Sequence, residues 1–266
     1  KAFTSTGFTL GDATDVNGNS STYVAWNWLA NGGTTVTNED GSIDSTVQAN
    51  TDAGFSIVTY SGNADASATI GHGLGVVPKM IMVKKRDEAG NWIVFTETTG
   101  ATNKLNLNAD TAVAVSALFN DTAPTSTVFS VKDTSSDDTF GDGHTYVAYC
   151  FADVEGYSKF GSYTGNGSTD GTFVYTGFKP AWIMVKRTDT ADNWAIYDSV
   201  RDTFNVRDSY LLADSSQAET TYSTAIVDFL SNGFKWRGAV NFGNNSSGTY
   251  IYMAFAEESF KYANGI

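Results

Sequence analysis

The carboxylates of this chain are the first candidates for catalytic residues. A glycoside hydrolase needs two of them facing each other across a groove, roughly 5 to 9.5 Å apart. The chain offers five candidates, and no spacing in the sequence pairs any two of them: Glu97, Asp198, Asp202, Asp208 and Glu219. We interpret Asp198, Arg201 and Glu219 as a charged network at a sheet edge, and we predict no catalytic residue and no enzyme activity.

Metal binding would require His, Cys or acidic residues at ligand spacing. His72 and His144 have no such neighbours, so turn or edge roles are expected for both. The acidic stretch Asp133–Asp138 offers oxygen ligands to calcium but lacks the spacing of an EF-hand loop, which favours a solvated turn. Cys150 is the single cysteine, so an intrachain disulfide framework is excluded, and we interpret it as a small packing residue. We predict no metal and no cofactor.

Aromatic side chains are the remaining candidates for function. Trp182, Trp236 and Tyr175 lie near predicted turns, where exposed rings could stack on the faces of sugars. Core packing is the competing interpretation, and it is stronger for Trp92 and Trp194, which occupy the same position of a repeated hairpin. We therefore keep Trp182, Trp236 and Tyr175 as candidate ligand-binding residues.

The elements that carry these residues are repeated along the chain. The segment Thr145-Tyr-Val-Ala-Tyr-Cys-Phe-Ala-Asp153 returns 104 residues later as Thr249-Tyr-Ile-Tyr-Met-Ala-Phe-Ala-Glu257, and an earlier copy spans residues 22–30. Pro78-Lys-Met-Ile-Met-Val-Lys-Lys85 likewise matches Pro180-Ala-Trp-Ile-Met-Val-Lys-Arg187. Two units of about a hundred residues follow from these spacings.

The spacing of the copies predicts the boundaries of the domains. Residues 1–30 carry only the last part of the repeat, so we expect them to be the C-terminal strands of a preceding unit. Residues 31–50 are polar and rich in Gly and Thr, which is typical of a linker. The two complete units are then residues 51–156 and 157–266.

The repeated segment alternates with period two, as expected of a strand. Val147, Tyr149 and Phe151 form a large apolar face, which we predict to be the core face, and small residues occupy the other face. Short strands separated by turn residues, with almost no helical periodicity, indicate an all-β chain. We predict tandem antiparallel β-sandwich domains of jelly-roll type.

Composition limits the partners of the chain. The formal net charge is −13, and clustered Lys and Arg for phosphate contacts are missing, so nucleic acid is excluded as a partner. No run of apolar residues reaches the roughly 18 residues of a membrane span, so we predict no membrane insertion.

Several long strings carry a family resemblance. They are Tyr23-Val-Ala-Trp-Asn-Trp28, Ala53-Gly-Phe-Ser-Ile-Val-Thr-Tyr-Ser-Gly-Asn63, Ile70-Gly-His-Gly-Leu-Gly-Val-Val-Pro-Lys79, Tyr146–Gly165 and Asn193-Trp-Ala-Ile-Tyr-Asp-Ser-Val-Arg201. With these strings the chain resembles an uncharacterised tandem-repeat family of marine bacteriophages, whose members look like virion structural proteins of tail fibre or appendage type. The resemblance implies no catalytic residues.

The resemblance leads to three functional hypotheses. The first is a non-enzymatic virion protein on the exterior of the phage particle, which assembles as a homotrimer with other virion proteins and contacts a host-surface glycan during attachment. The second is a capsid decoration or head-fibre protein with a large apolar docking surface. The third is a polysaccharide depolymerase, which would need an acidic pair in a groove lined by aromatic rings.

Overall fold

A computed structural model describes residues 3–4, 7–134, 138–224 and 226–256. Strands account for 41% of the residues and helices for 3%, so the predicted all-β class is confirmed. The strands form several antiparallel sheets that pack face to face as β-sandwiches.

The elements follow one another along the chain in this order. The first half holds β1 (Phe3–Thr4), β2 (Gly7–Phe8), α1 (Thr14–Asn17), β3 (Val36–Asn38), β4 (Ser45–Asn50), β5 (Phe55–Ser61), β6 (Ser67–Gly71), β7 (Met80–Lys85), β8 (Trp92–Thr96), β9 (Asn103–Asn106), β10 (Ala114–Val115), β11 (Val128–Lys132) and β12 (Thr145–Phe151). The second half holds β13 (Ser158–Thr164), β14 (Phe173–Tyr175), β15 (Pro180–Arg187), β16 (Trp194–Asp198), β17 (Ser209–Leu212), β18 (Thr220–Thr221), β19 (Val227–Leu230), β20 (Gly233–Trp236), α2 (Asn241–Asn244) and β21 (Thr249–Ala256).

Two large sheets have the same internal order. The first runs β10-β9-β8-β7-β12-β5-β4-β3, and the second, taken from its β18 end, runs β18-β17-β16-β15-β21-β13. The six strands of the second sheet therefore match the first six strands of the first, and β4 and β3 are additional. A small sheet packs on each large one: β6 and β11 on the first, β14, β20 and β19 on the second. We call these assemblies the first and second sandwich.

The repeated tyrosine strand is the central strand of each large sheet. In the first sandwich β12 lies between β5 and β7, and in the second β21 lies between β13 and β15. Tyr146 is paired in register with Tyr60, and their rings stack with centroids 5.2 Å apart. Tyr250 and Tyr163 repeat this pair at 5.0 Å. Such cross-strand aromatic pairs help to fix the register of the ladder.

The two large sheets pack against each other through an inter-sheet layer of apolar side chains. The first sheet contributes Phe55, Met80, Met82, Val94, Leu105 and Phe151. The second contributes Phe160, Trp182, Met184, Trp194, Ile196, Ile251, Met253 and Phe255. The chain therefore stacks four layers, small sheet, large sheet, large sheet and small sheet, and both faces of each large sheet are covered.

This layering corrects the predicted core face of the tyrosine strand. Tyr146, Ala148 and Cys150 are fully buried inside the first sandwich. Tyr149 and Phe151 face the inter-sheet layer instead. Small residues lie on the inner face because a large ring, that of Tyr146, already fills the space below the small sheet. The larger residues lie where the wide gap between the large sheets must be filled.

The predicted linker is also corrected. Within residues 31–50, β3 pairs with β4, and β4 pairs along its length with β5, from Thr46 opposite Thr59 to Asn50 opposite Phe55. The polar side chains that favoured a linker are those of an edge hairpin, which is exposed on one side. Residues 31–50 therefore extend the first large sheet.

Residues 22–30 do not form the predicted strand. The position of a closing strand is already taken by β12 and β21, so the segment runs extended beside the inter-sheet layer. Trp28 packs edge-on against Trp182 and Phe255, with ring centroids 5.5 Å apart in both cases, and Trp26 packs on Trp182 at 6.2 Å. The period-two pattern therefore serves here to insert two tryptophans at the margin of the layer.

The inter-sheet layer yields a stability prediction. Phe255 contacts rings from both sandwiches, including Phe151 and Phe160, and also the ring of Trp28. Phe255→Ala should lower the free energy of unfolding by about 3–5 kcal/mol, because it leaves a cavity among side chains that cannot collapse. Phe204→Ala, the same change at an 81% exposed ring, should change it by less than about 0.5 kcal/mol. Urea unfolding measures both values. Equal losses of unfolding free energy in the two variants would show that the layer is not tightly packed.

Backbone and lysine contacts join the sandwiches beside this layer. Asp192 N donates to Asp110 O at 2.7 Å, and Val113 N donates to Thr188 O at 3.0 Å. The ammonium of Lys186, which is fully buried, donates to Asp110 O at 3.1 Å and to Arg187 O at 2.7 Å. Burial lowers the pKa of Lys186 from 10.5 to about 8, although nearby carboxylates, Asp192 first among them, oppose the shift.

Lys186 should make the stability of the chain depend on pH. Between pH 8 and 10.5 the folded chain has released a proton that the unfolded chain still holds, so rising pH favours folding. Lys186→Met removes this dependence. From pH 7 to 9.5 the wild type should gain about 2 kcal/mol relative to the variant, measured by urea unfolding at both values. Parallel pH curves for the two proteins would contradict a perturbed ammonium.

Candidate functional site

The outer faces of the two small sheets differ between the sandwiches. In the first, Thr69 lies opposite Ser130 and Gly71 opposite Val128. In the second, Phe173 lies opposite Lys235 and Tyr175 opposite Gly233. Because the buried pairs between them also correspond, Phe173 takes the place of Thr69, and Tyr175 takes the place of Gly71.

In the first sandwich this outer face is covered by the chain itself. Ser42 N donates to Thr69 Oγ1 at 2.8 Å, Thr69 N donates to Ser42 Oγ at 2.9 Å, and Ile43 bridges to Ile70. A Cβ built on Gly71 would collide with the side-chain amide of Asn38. Small residues on β6 are therefore required by the segment that covers it.

In the second sandwich the equivalent face is open, and aromatic rings occupy it. Tyr175 is 65% exposed and Phe173 is 43% exposed. The Phe173 ring lies over Gly233, since a Cβ built there would meet its Cε2 and Cζ at 3.0 and 3.1 Å. We call the exposed patch of Phe173, Tyr175 and Gly233 the aromatic platform.

Charged side chains border the aromatic platform. Lys235, opposite Phe173, donates to Asp170 at 2.6 Å, and Arg237 Nε lies 2.6 Å from Asp228. The hydrogen bond from Lys235 is the main reason that the pKa of Asp170 is lowered. Ionised donors and acceptors beside exposed rings give the platform a polar rim.

The three candidate ligand-binding residues have different fates. Tyr175 lies on the aromatic platform. Trp236 is fully buried in the core of the second sandwich, where its indole nitrogen donates to Tyr163 Oη at 2.8 Å, so it is not available to a sugar. Trp182 is 7% exposed and held in the inter-sheet layer. Trp236 is therefore a core residue. Most of the surface of Trp182 is also buried by packing.

Trp182 also borders an open groove of about 970 Å³ at the margin of the inter-sheet layer. Its walls are mainly apolar and include Trp26, Trp28 and Trp92. The indole nitrogen of Trp182 is buried without a hydrogen-bond partner among the described residues. The groove has the size of a ligand pocket, but few polar groups that would orient a sugar.

Asp198 and Glu219 form the charged network with Arg201 that was interpreted from the sequence, and Asp202 accepts hydrogen bonds from the backbone of Asp208 and Ser209. Arg201 Nε lies 2.6 Å from Asp198 and Arg201 Nη1 lies 2.5 Å from Glu219. Burial alone would raise the pKa of Asp198. Hydrogen bonds from the backbone and guanidinium of Arg201 lower the pKa by more than burial raises it, so the net shift is downward. A general acid needs the opposite shift. Glu97 is engaged elsewhere, 2.5 Å from Lys79.

The histidines and the cysteine have structural environments. His72 is fully buried in a turn, where Leu74 N donates to Nδ1 at 3.2 Å, and burial lowers its pKa. His144, just before β12, has its Nδ1 3.4 Å from Asp87 in the turn between β7 and β8. Burial raises the pKa of Cys150 to about 12, so the reactive thiolate is not formed at neutral pH.

The acidic stretch lies partly outside the described residues, which omit Ser135, Ser136 and Asp137. Asp138 is buried and accepts hydrogen bonds from the backbone and side chain of Asn91. Within the described ranges, no three His, Cys, Asp or Glu side chains are grouped so that they could hold a metal ion. The same part of the chain has no helix long and apolar enough to cross a membrane.

A known protein family matches almost the whole chain. The family model described as "Domain of unknown function (DUF7483)" matches residues 1–259. The chain belongs to this family. No curated protein and no solved structure matches it. The DUF7483 match spans both sandwiches and the segment with Trp26 and Trp28.

The aromatic platform of this DUF7483 chain was missed as a set, although its signal is present in the sequence. Aligning β6 with β14 puts Thr69 and Gly71 against Phe173 and Tyr175. A repeat position that changes from a small residue to a ring marks a surface that is covered in one copy and open in the other. Only Tyr175 was recognised from sequence, because Phe173 resembles an ordinary strand residue.

Placing alanine at the two equivalent positions tests whether one face is covered and the other open. Gly71→Ala should lower the free energy of unfolding by about 1–3 kcal/mol, because the new methyl group must displace Asn38. Tyr175→Ala should change it by less than about 0.5 kcal/mol. Asn38→Ala combined with Gly71→Ala should recover part of the loss. Thermal unfolding that ranks Tyr175→Ala as the more damaging change would refute the assignment.

Proposed function

We propose that this chain is a non-enzymatic structural protein of a bacteriophage virion, of tail fibre or appendage type, that contacts a host-surface glycan. The aromatic platform is the observation that carries the proposal. Rigid aromatic side chains give a large contact area at a low cost in conformational entropy. Phe173 and Tyr175 lie on the outermost layer of the stack, where a large ligand has access.

The chemistry of the platform suits a sugar. The apolar face of a pyranose ring can stack on Phe173 or Tyr175, and its hydroxyls can bond to the charged rim formed by Lys235, Asp170 and Arg237. The formal net charge of −13 disfavours polyanionic glycans through long-range repulsion. A neutral glycan is therefore the ligand we propose.

The architecture suits an appendage. Two sandwiches packed through an apolar layer make a stiff unit, and such units can be joined in series along a projection. We further propose a homotrimer that binds other virion proteins on the exterior of the particle. The family resemblance supports these assignments together with the fold.

Capsid decoration is the second candidate, favoured by the N-terminal segment. Phe3 is 84% exposed, Leu29 71% and Tyr23 50%. Exposed apolar side chains concentrated in one segment often mark a docking surface. Imaging of intact particles by electron cryomicroscopy separates the candidates: a distal position on the tail supports attachment, and a position on capsomers supports decoration.

Glycan binding can be tested with single substitutions. Phe173→Ala and Tyr175→Ala should each weaken binding on a neutral glycan array by roughly tenfold or more, in line with about 1–3 kcal/mol for a stacked ring. Phe3→Ala removes another highly exposed ring, which borders the groove at the inter-sheet layer and lies outside the small sheet of the platform, and should leave binding unchanged. Binding that persists in both platform variants would reject this site, and a wild type that binds no glycan would reject the ligand class.

A further inference from the structure

The open edge of the second large sheet is the feature from which a further site can be inferred. In the first sandwich, β5 is covered on its outer side by β4, which pairs with it from Phe55 to Thr59. Among the described residues, its counterpart β13 pairs only with β21 and ends the second sheet. In this part of the chain, the second sandwich has no counterpart of the added strand that completes the first.

The hydrogen-bond pattern shows which groups of β13 point outward. Gly165 N donates to Gly248 O, and Ala256 N donates to Tyr157 O. Bonded positions alternate along an antiparallel ladder, so the odd-numbered residues of β13 bond to β21. The backbone groups of Ser158, Phe160, Ser162 and Thr164 therefore face away from the sheet.

Part of this edge is capped by the chain itself. Asp153 Oδ1 accepts from Phe160 N at 2.9 Å, and Ser158 N donates to Val154 O. Thr172 Oγ1 donates to Thr164 O at 2.9 Å. Four groups are left without a partner among the described residues: Phe160 O, Ser162 N, Ser162 O and Thr164 N.

The Ser162–Thr164 part of this edge is accessible and the cleft beside it is uncharged, whereas the ion pair of Lys79 and Glu97 lies near Phe160 at the other end. Ser162 and Thr164 are both exposed. Their side chains line a cleft of about 500 Å³ between the sandwiches, and hydroxyl groups dominate its other walls, with no charged residue among them. The strand that covers β5 in the first sandwich, Ser45-Thr-Val-Gln-Ala-Asn50, is also uncharged and has small side chains.

We propose that the Phe160–Thr164 edge of β13 is a strand-addition site for an extended, uncharged peptide segment with small polar side chains. The peptide lies on the same side of β13 as β4 lies on β5, and it bonds to the four free backbone groups. Its alternate side chains enter the hydroxyl-lined cleft. Main-chain bonds supply the affinity, and the cleft selects small polar side chains. The site is separate from the aromatic platform.

A peptide of the sequence Ser-Thr-Val-Gln-Ala-Asn is the probe, added to the full chain and followed by amide NMR. The signals of Ser162 and Thr164 should shift and their hydrogen exchange should slow. Ser162→Pro removes one outward N–H without removing a ladder bond, and should weaken binding at least tenfold. Ser162→Ala keeps that N–H and loses only the hydroxyl that lines the cleft, so it should bind much more tightly than Ser162→Pro does.

A second control lies on the peptide, so that it does not depend on the folding of a variant. The same peptide with N-methyl groups at alternate residues cannot donate to the edge and should fail to bind. Unchanged amide signals at millimolar peptide, equal binding of the N-methylated peptide, or occupation of the site by a neutral oligosaccharide instead would each overturn the proposal.

The source of the strand can be distinguished in the same experiments. Concentration-dependent self-association that is lost in Ser162→Pro and kept in Ser162→Ala identifies a second copy of this chain as the donor. A chain that stays monomeric by sedimentation while it binds the peptide identifies another polypeptide. Either result supports the strand-addition site.

Discussion

Burial of both faces of the two large sheets is the constraint on which the rest of the structure depends. In β12, Tyr146, Ala148 and Cys150 point into the first sandwich, while Tyr149 and Phe151 point into the inter-sheet layer. Every position of a central strand therefore has a packing requirement, and each large side chain it buries contributes about 1.5–3 kcal/mol. Residues that are free of such a packing requirement can lie only on the outer layers and at the edges of the sheets.

The sequence was informative where one pattern had one physical meaning. The repeated hairpin that carries Trp92 and Trp194 is present as β7–β8 and β15–β16. Arg201 between two acidic residues indicated the ion pairs that it makes with Asp198 and Glu219. Cys150, matched in the other copies by residues of different chemistry, indicated packing, and it is fully buried.

The predictions that were wrong concern strands whose period-two alternation does not show which face points into the sandwich core. Alternation shows that two faces differ, but a strand covered on both sides has two apolar faces, so side-chain size was a misleading guide to the core. Composition was equally ambiguous for residues 31–50, because an exposed edge hairpin and a linker use the same polar residues. Trp236 was predicted to be exposed because it lies near a turn in the sequence. Its ring instead points from β20 into the core of the second sandwich.

The central position of the closing strands has a consequence for synthesis of the chain. β12 and β21 are the last strands of their sheets to leave the ribosome, yet each is inserted between strands made long before it. Neither large sheet can be completed while its sandwich is still emerging, and β7 and β15 present unpaired edges until then. Translation at about 5–20 residues per second leaves such edges open for several seconds, an interval in which chaperones or neighbouring nascent chains have access to them.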